Sequence, residues 1–303
     1  IHETSMRQQI LTISLCCVFI LSALSDVLSQ PLHRTDLSNL RVNAFAQDSL
    51  GYIWIATANG LCKSFGESYD VFFYDEADEH SIPSNLITGL YVDDASKLWI
   101  STGKGICSMA RGKYEFHRYS QSTSTGMESF FLGFVQYAGR IYTYGYNGLY
   151  EIDEKNKTLI PRIEVDRQVI YGAVTDSHGN LWLTNGAELI KLDRSLSLIP
   201  KIVVGRDDVV NCMVSDREKI LLGTENGIKL LDLHSLEISD GDFPHALDDL
   251  RINQMLPVDG GRKLLISTRN KGALVYDMET RDVISRYNND EFADIPLSLI
   301  HIS

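Results

Sequence analysis

The sequence predicts an all-β chain, a β-propeller of four-stranded blades with about six blades present, and three observations predict it. A tryptophan-bearing stretch, GYIWIATANGLCKS from Gly51 to Ser64, returns as KLWISTGKGICS from Lys97 to Ser108, and weaker copies follow around Tyr142, Trp182, Leu221 and Leu265. Successive anchors lie 45, 43, 40, 39 and 44 residues apart, which is the length of one four-stranded blade. Most units open on period-two alternation that runs into an aspartate, and no helical periodicity appears after Leu28.

The elements follow in chain order. Met6 and Arg7 precede an apolar run, Ile10 to Leu24, that ends in small and polar residues before Gln30. A basic start, about 15 apolar residues and a small-residue end fit a secretory signal peptide, so residues 1–29 are expected to be leader. Each unit then begins with a strand such as RVNAFAQDSLG (Arg41 to Gly51) or VIYGAVTDSHG (Val169 to Gly179) that enters a hairpin turn. Asp48 and Asp176 can accept backbone N–H bonds there, and Gly51 and Gly179 can supply positive φ. The second strand carries the Trp and ends in Thr, as at Thr57 and Thr102. A short turn then starts a third strand, such as LYEID (Leu149 to Asp153) or IKLLD (Ile228 to Asp232), and an outer strand follows, as in YDVFFYD (Tyr69 to Asp75). One blade cannot bury both faces, so Trp54, Trp99 and Trp182 are expected to pack between neighbours.

The propeller is expected over residues 30–296, six units of a truncated seven-bladed ring. Residues 297–303, LSLIHIS, read as an adapter-derived tail, which would end the natural sequence near Pro296.

Composition narrows the partners. The chain has 303 residues, 44% hydrophobic, with 40 acidic against 28 basic side chains and a net charge of −12; such a balance disfavours nucleic acid and anionic membrane surfaces. Cys62, Cys107 and Cys212 are odd in number, far apart and without metal spacing, and are read as buried free thiols. The aspartates lack the ligand positions of a calcium loop. No G-x-S-x-G or H-E-x-x-H motif is present, and the histidines are scattered, so no catalytic residue, no metal and no cofactor is expected.

The unit VNAFAQDSLGYIWIATANGL, followed by SIPSNLITGLYVDDASKLWISTGKGI, resembles the two-component regulator propeller repeat, whose pattern runs roughly N-x-V-x-x-I-x-x-D-x-x-G-x-[IL]-W-[IV]-G-T-x-x-G-L. Val42, Asp48, Gly51, Trp54, Thr57, Gly60 and Leu61 match, as do Ile87, Asp94, Trp99, Thr102, Gly105 and Ile106. Ala56 and Ser101 replace the usual glycine, the fourth unit has Asn185-Gly186-Ala187-Glu188 at its turn, and the sixth has an extra residue near Lys271. The resemblance covers about Leu37 to Asn289. It implies the periplasmic sensor region of a hybrid histidine kinase anchored in the inner membrane, responsive to an oligosaccharide, dimeric at full length, with the kinase beyond this fragment. A secreted interaction scaffold and a propeller lyase are the alternatives.

Blade topology puts the turn after each second strand and the connection into each first strand on one face. Asn59, Lys104, Tyr146, Asn147, Glu225, Asn226, Arg269 and Asn270 fall on those turns, joined by Asn39, Arg41, Asn85 and Arg251. Asn, Glu and Arg suit sugar hydroxyls, and an aromatic suits a sugar ring; these turn residues are the candidate ligand site.

Overall fold

The computed structural model describes residues 32–34, 38–39, 42–65, 68–121, 130–193, 195–197, 202–204, 208–269 and 271–287. The leader over 1–29 and the tail over 297–303 lie outside them. Among the described residues no helix is long and apolar enough to cross a membrane.

Each repeat is an antiparallel sheet. Blade 1 holds β1 (Leu32–Arg34), β2 (Val42–Gln47), β3 (Ile53–Thr57), β4 (Gly60–Phe65) and β5 (Ser68–Phe72), with β1 added outside β5. Blade 2 holds β6 (Ile87–Val92), β7 (Leu98–Thr102), β8 (Gly105–Met109) and β9 (Phe116–Gln121). Blade 3 holds β10 (Phe131–Tyr137), β11 (Arg140–Asp153) and β12 (Thr158–Val169). Blade 4 has β13 (Gly172–Thr175), β14 (Leu181–Thr184), β15 (Glu188–Leu192) and β16 (Ile202–Val203); blade 5 has β17 (Val210–Asp216), β18 (Lys219–Thr224), β19 (Gly227–Asp232) and β20 (Ile238–Ser239). Blade 6 has β21 (Ile252–Val258), β22 (Lys263–Thr268), β23 (Ala273–Asp277) and β24 (Val283–Tyr287).

Two sheets depart from four strands. In blade 3 the single element β11 does the work of two strands: its first half pairs with β10 and its second with β12. A straight strand would set Arg140 and Glu151 about 36 Å apart, yet they form an ion pair, so the segment doubles back, with Gly148 at φ 135° after the bend. The outer strands β9 and β12 also pair in parallel at Ser120 with Thr158 and Gln121 with Leu159, joining blades 2 and 3 into one seven-stranded sheet.

The repeated aspartate has a specific task. Asp48 Oδ1 accepts the N–H groups of Leu50 and Tyr52, closing the first hairpin, while Oδ2 accepts the Trp54 indole N–H at 2.9 Å. Asp93 does the same for Ala95, Lys97 and Trp99, and Asp176 for His178, Asn180 and Trp182. The repeated threonine closes the second hairpin: Thr57 Oγ1 donates to the Gly60 carbonyl and accepts the Asn59 N–H, a pattern repeated at Thr102, Thr184, Thr224 and Thr268.

The core lies between blades. Trp54 is buried among blade 1 and blade 2 side chains, Trp99 between blades 2 and 3, and Trp182 between blades 4 and 5, as expected for inter-blade packing. Cys62 and Cys107 are buried free thiols; Cys212 is only half-buried as a residue, though burial pushes its thiol up to about 12.

The sixth blade packs directly on the first. Leu265, Ala273 and Val275 join Phe45, Ile53, Ile55, Tyr69 and Val71 in one buried cluster. Gln254 Oε1 accepts the Phe45 N–H at 2.8 Å, and Asn253 Nδ2 donates to the Asn43 carbonyl at 3.1 Å. Among the described residues, side chains of β22 and β23 thus pack on blade 1, and β21 bonds to β2.

Candidate functional site

The innermost strands β2, β6, β10, β13, β17 and β21 surround a central channel with a volume of about 600 Å³, within the range of small-molecule sites. Its middle is apolar, with Phe45, Leu90, Phe134, Met213 and Met255 buried around it.

At one end the channel wall is polar, and a local irregularity makes it so. In five blades the pairing of the first two strands slips by one residue after its first pair, skipping Asn43, Thr88, Leu132, Asn211 and Asn253. Such a bulge re-aims the skipped side chain. Four of these then reach the next blade: Asn43 donates to the Ile87 carbonyl at 2.7 Å, Thr88 to Phe131 at 2.7 Å, Asn211 to Ile252 at 3.0 Å and Asn253 to Asn43. Blade 3 carries Leu132 there instead, and burial pushes the phenol pKa of Tyr144 on its second strand up. Blade 4 has no slip, and Tyr171 precedes its first strand.

The second-strand turns and the incoming first strands do share this face. The Arg269 N–H donates to the Arg251 carbonyl at 2.9 Å, the Gly60 N–H to Asn85 at 2.7 Å, and the Ile170 N–H to Gly145 at 2.9 Å. Three of the expected residues meet. Glu225 Oε1 receives Arg269 Nη1 at 3.2 Å and Asn211 Nδ2 at 2.9 Å, while Arg251 Nε lies 3.8 Å from Oε2. Arg269 lines the channel, and both arginine side chains remain more than half exposed. Across blades 3 and 4, Tyr146 is 50% and Tyr171 38% exposed; Tyr171 lines the channel, and Tyr146 stands edge-on to Phe130 at 5.9 Å. The mouth is thus aromatic on one side and charged on the other.

The other expected residues scatter. Asn226 holds Asp208 Oδ1 at 2.9 Å, and Asn59 closes the first blade's turn through its backbone. Lys104 belongs to a different groove, on the outer side of blade 2. Asn270 and the side chain of Asn147 lie outside the described residues. Sequence reasoning missed Tyr171 and the ring of Asn43, Asn211 and Asn253; the recurring Val-Asn or Ile-Asn pair at these strand starts was the available signal.

Comparison with known proteins agrees with the architecture. The family model of the two component regulator propeller matches residues 36–59, the first Asp-Trp hairpin. The extracellular domain of BT3049 from B. thetaiotaomicron, described as a hybrid two component system, is similar in structure at a TM-score of 0.66 and 19% identity, over 85% of this chain and 37% of that one. The corresponding domain of BT4673 from the same organism gives 0.63 and 18%, over 84% and 37%. Virginiamycin B lyase from Staphylococcus aureus gives 0.61 and 12%, over 77% and 78%. The chain thus spans little more than a third of the two extracellular domains. No curated protein sequence matches it. At these identities the likeness shows the fold, a β-propeller, shared with these extracellular domains.

Proposed function

We propose that this chain is the ligand-sensing propeller of an exported two-component signalling protein, and that the mouth formed by Tyr146, Tyr171, Glu225, Arg251 and Arg269 takes an oligosaccharide. The mouth carries this reading: exposed aromatic faces opposite an Arg–Glu–Arg cluster, over a channel of suitable volume, offer stacking and directional hydrogen bonds together. The matched repeat and the shape shared with extracellular domains of two-component systems support the sensing role. Export by the leader over 1–29, anchoring of the parent in the inner membrane, a full-length dimer, a downstream kinase and control of polysaccharide-utilisation genes complete the proposal.

The likeness to a lyase does not favour catalysis here. A histidine-to-alanine variant of that lyase is catalytically inactive, whereas the described channel lining offers Asn, Gln, Thr, Ser and Arg269 but neither imidazole nor carboxylate. Calorimetric titration with a panel of oligosaccharides tests the reading. At least one is expected to bind the chain, and Tyr171→Ala and Arg269→Ala are each expected to weaken it about tenfold or more. Binding untouched by both substitutions would remove the ligand from this mouth.

A further inference from the structure

The outer side of blade 2 holds a second groove, of about 510 Å³, near the seam where β9 meets β12. Lys104 enters it from the β7–β8 turn, Arg118 from β9 and Lys157 from the turn before β12, with Tyr74 on the remaining wall. The Lys104 ammonium lies 5.5 Å and the Arg118 guanidinium carbon 5.7 Å from the Tyr74 ring centre.

Arg118 is fixed in place. Its Nε donates to the Ser81 carbonyl at 3.1 Å, and Nη2 donates to the Asp78 carbonyl at 3.1 Å and to Ser81 Oγ at 2.9 Å. These bonds leave Nη1 without an acceptor among the described residues. No described carboxylate lies within ion-pair distance of Lys104, Arg118 or Lys157. Neighbouring His117 registers the local charge: burial first, and next the Lys157 ammonium, hold its imidazole below the ordinary value.

Three cations around one concavity, none with a carboxylate partner among the described residues, are unexpected in a chain whose net charge is −12. Their mutual repulsion is relieved by an anion between them, and an arginine held by its other donors is preorganised to receive one. A flat anionic bilayer would also meet the rest of a chain whose net charge is −12, whereas a single anionic group meets only the groove.

We propose that the groove of Tyr74, Lys104, Arg118 and Lys157 is a binding site for the carboxylate or sulfate group of a small ligand. It is separate from the channel mouth and does not rest on the reading given to that mouth.

Calorimetry on the whole chain at fixed ionic strength tests this with glucuronate, glucose 6-sulfate and glucose. One or both anionic sugars are expected to bind and glucose not, and the arm that gives heat identifies the preferred anion. Lys104→Met with Lys157→Met is expected to weaken that binding about tenfold or more, while Arg269→Ala leaves it unchanged. Arg118 is left in place because it anchors the Asp78–Ser81 loop; should the double variant fold poorly, Lys104→Met alone serves, with recovery of binding expected in Lys104→Arg. The proposal is overturned if neither anion binds, if glucose binds as well as the anions, or if the lysine variants bind like the parent. Loss of anion binding in Arg269→Ala alone would assign the anion to the mouth.

Discussion

Asp176 shows how much one repeated residue holds together. Burial alone would raise its carboxyl, but donors from Asn180, Trp182 and His178 outweigh that and keep it below the ordinary carboxylate value. A folded-state value below the unfolded one, about 3.9, means that the stabilisation is fully present above that pH. It is lost as pH falls through the depressed folded value. Asp176→Asn removes the charge that four N–H donors from three residues address, and the expected loss is about 1.5–3 kcal/mol, the worth of hydrogen bonds to a charged group. Urea denaturation followed by Trp fluorescence between pH 7 and pH 3 checks both points: the variant should start less stable and decline less steeply into acid. The other face of these indoles is also used. Lys191 lies 5.4 Å from the Trp182 ring, Lys97 5.2 Å from Trp99 and Lys63 5.7 Å from Trp54. Each tryptophan is therefore held by an anion at its edge and a cation over its face.

At the scale of a blade, close approach of backbones decides what the first strand can carry. A Cβ on Gly89 would lie 2.3 Å from the Leu132 carbonyl oxygen and 2.8 Å from Ser101 Oγ, and a backbone oxygen cannot rotate out of the way. Gly89→Ala is expected to cost about 1–3 kcal/mol through overpacking and to loosen the contact between β6 and β10; a lowered midpoint of thermal unfolding measures it. The Asp–Trp–Thr hairpins were legible in the sequence because each is a local contract, closed within six residues by hydrogen bonds whose partners have fixed spacing. The bulge after the first residue of β2, β6, β10, β17 and β21 was not, since its consequence is a bond from Asn43 or Asn211 to a carbonyl 41 to 44 residues away. For the same reason the turn residues could be assigned to one face, while their grouping could not. Glu225 meets Arg269 across two blades, but Lys104 turns outward to Tyr74, and period-two alternation carries no information about which neighbour a turn side chain chooses.

For the whole molecule, the contact between blade 6 and blade 1 is where the blade number is read. Six units at this period suggested a seventh blade, and among the described residues blade 6 lies against blade 1. Gln254 supplies a sharp test, because its amide treats Phe45 as a neighbouring strand would, accepting the N–H at 2.8 Å and donating to the carbonyl at 3.4 Å. Phe45 sits on β2, whose inner edge has no partner strand among the described residues, and Gln254, 209 residues away in sequence, covers that edge. If blade 6 packs on blade 1, Gln254→Ala leaves a part-buried N–H unsatisfied and is expected to cost about 1–3 kcal/mol. The amide of Phe45 should then exchange faster with deuterium, while the amides of β3, bonded within their own blade, keep their protection. In a seven-bladed ring Gln254 would face another blade altogether, and the same substitution would leave Phe45 exchange unchanged. Hydrogen exchange at that one amide therefore reads the blade number directly.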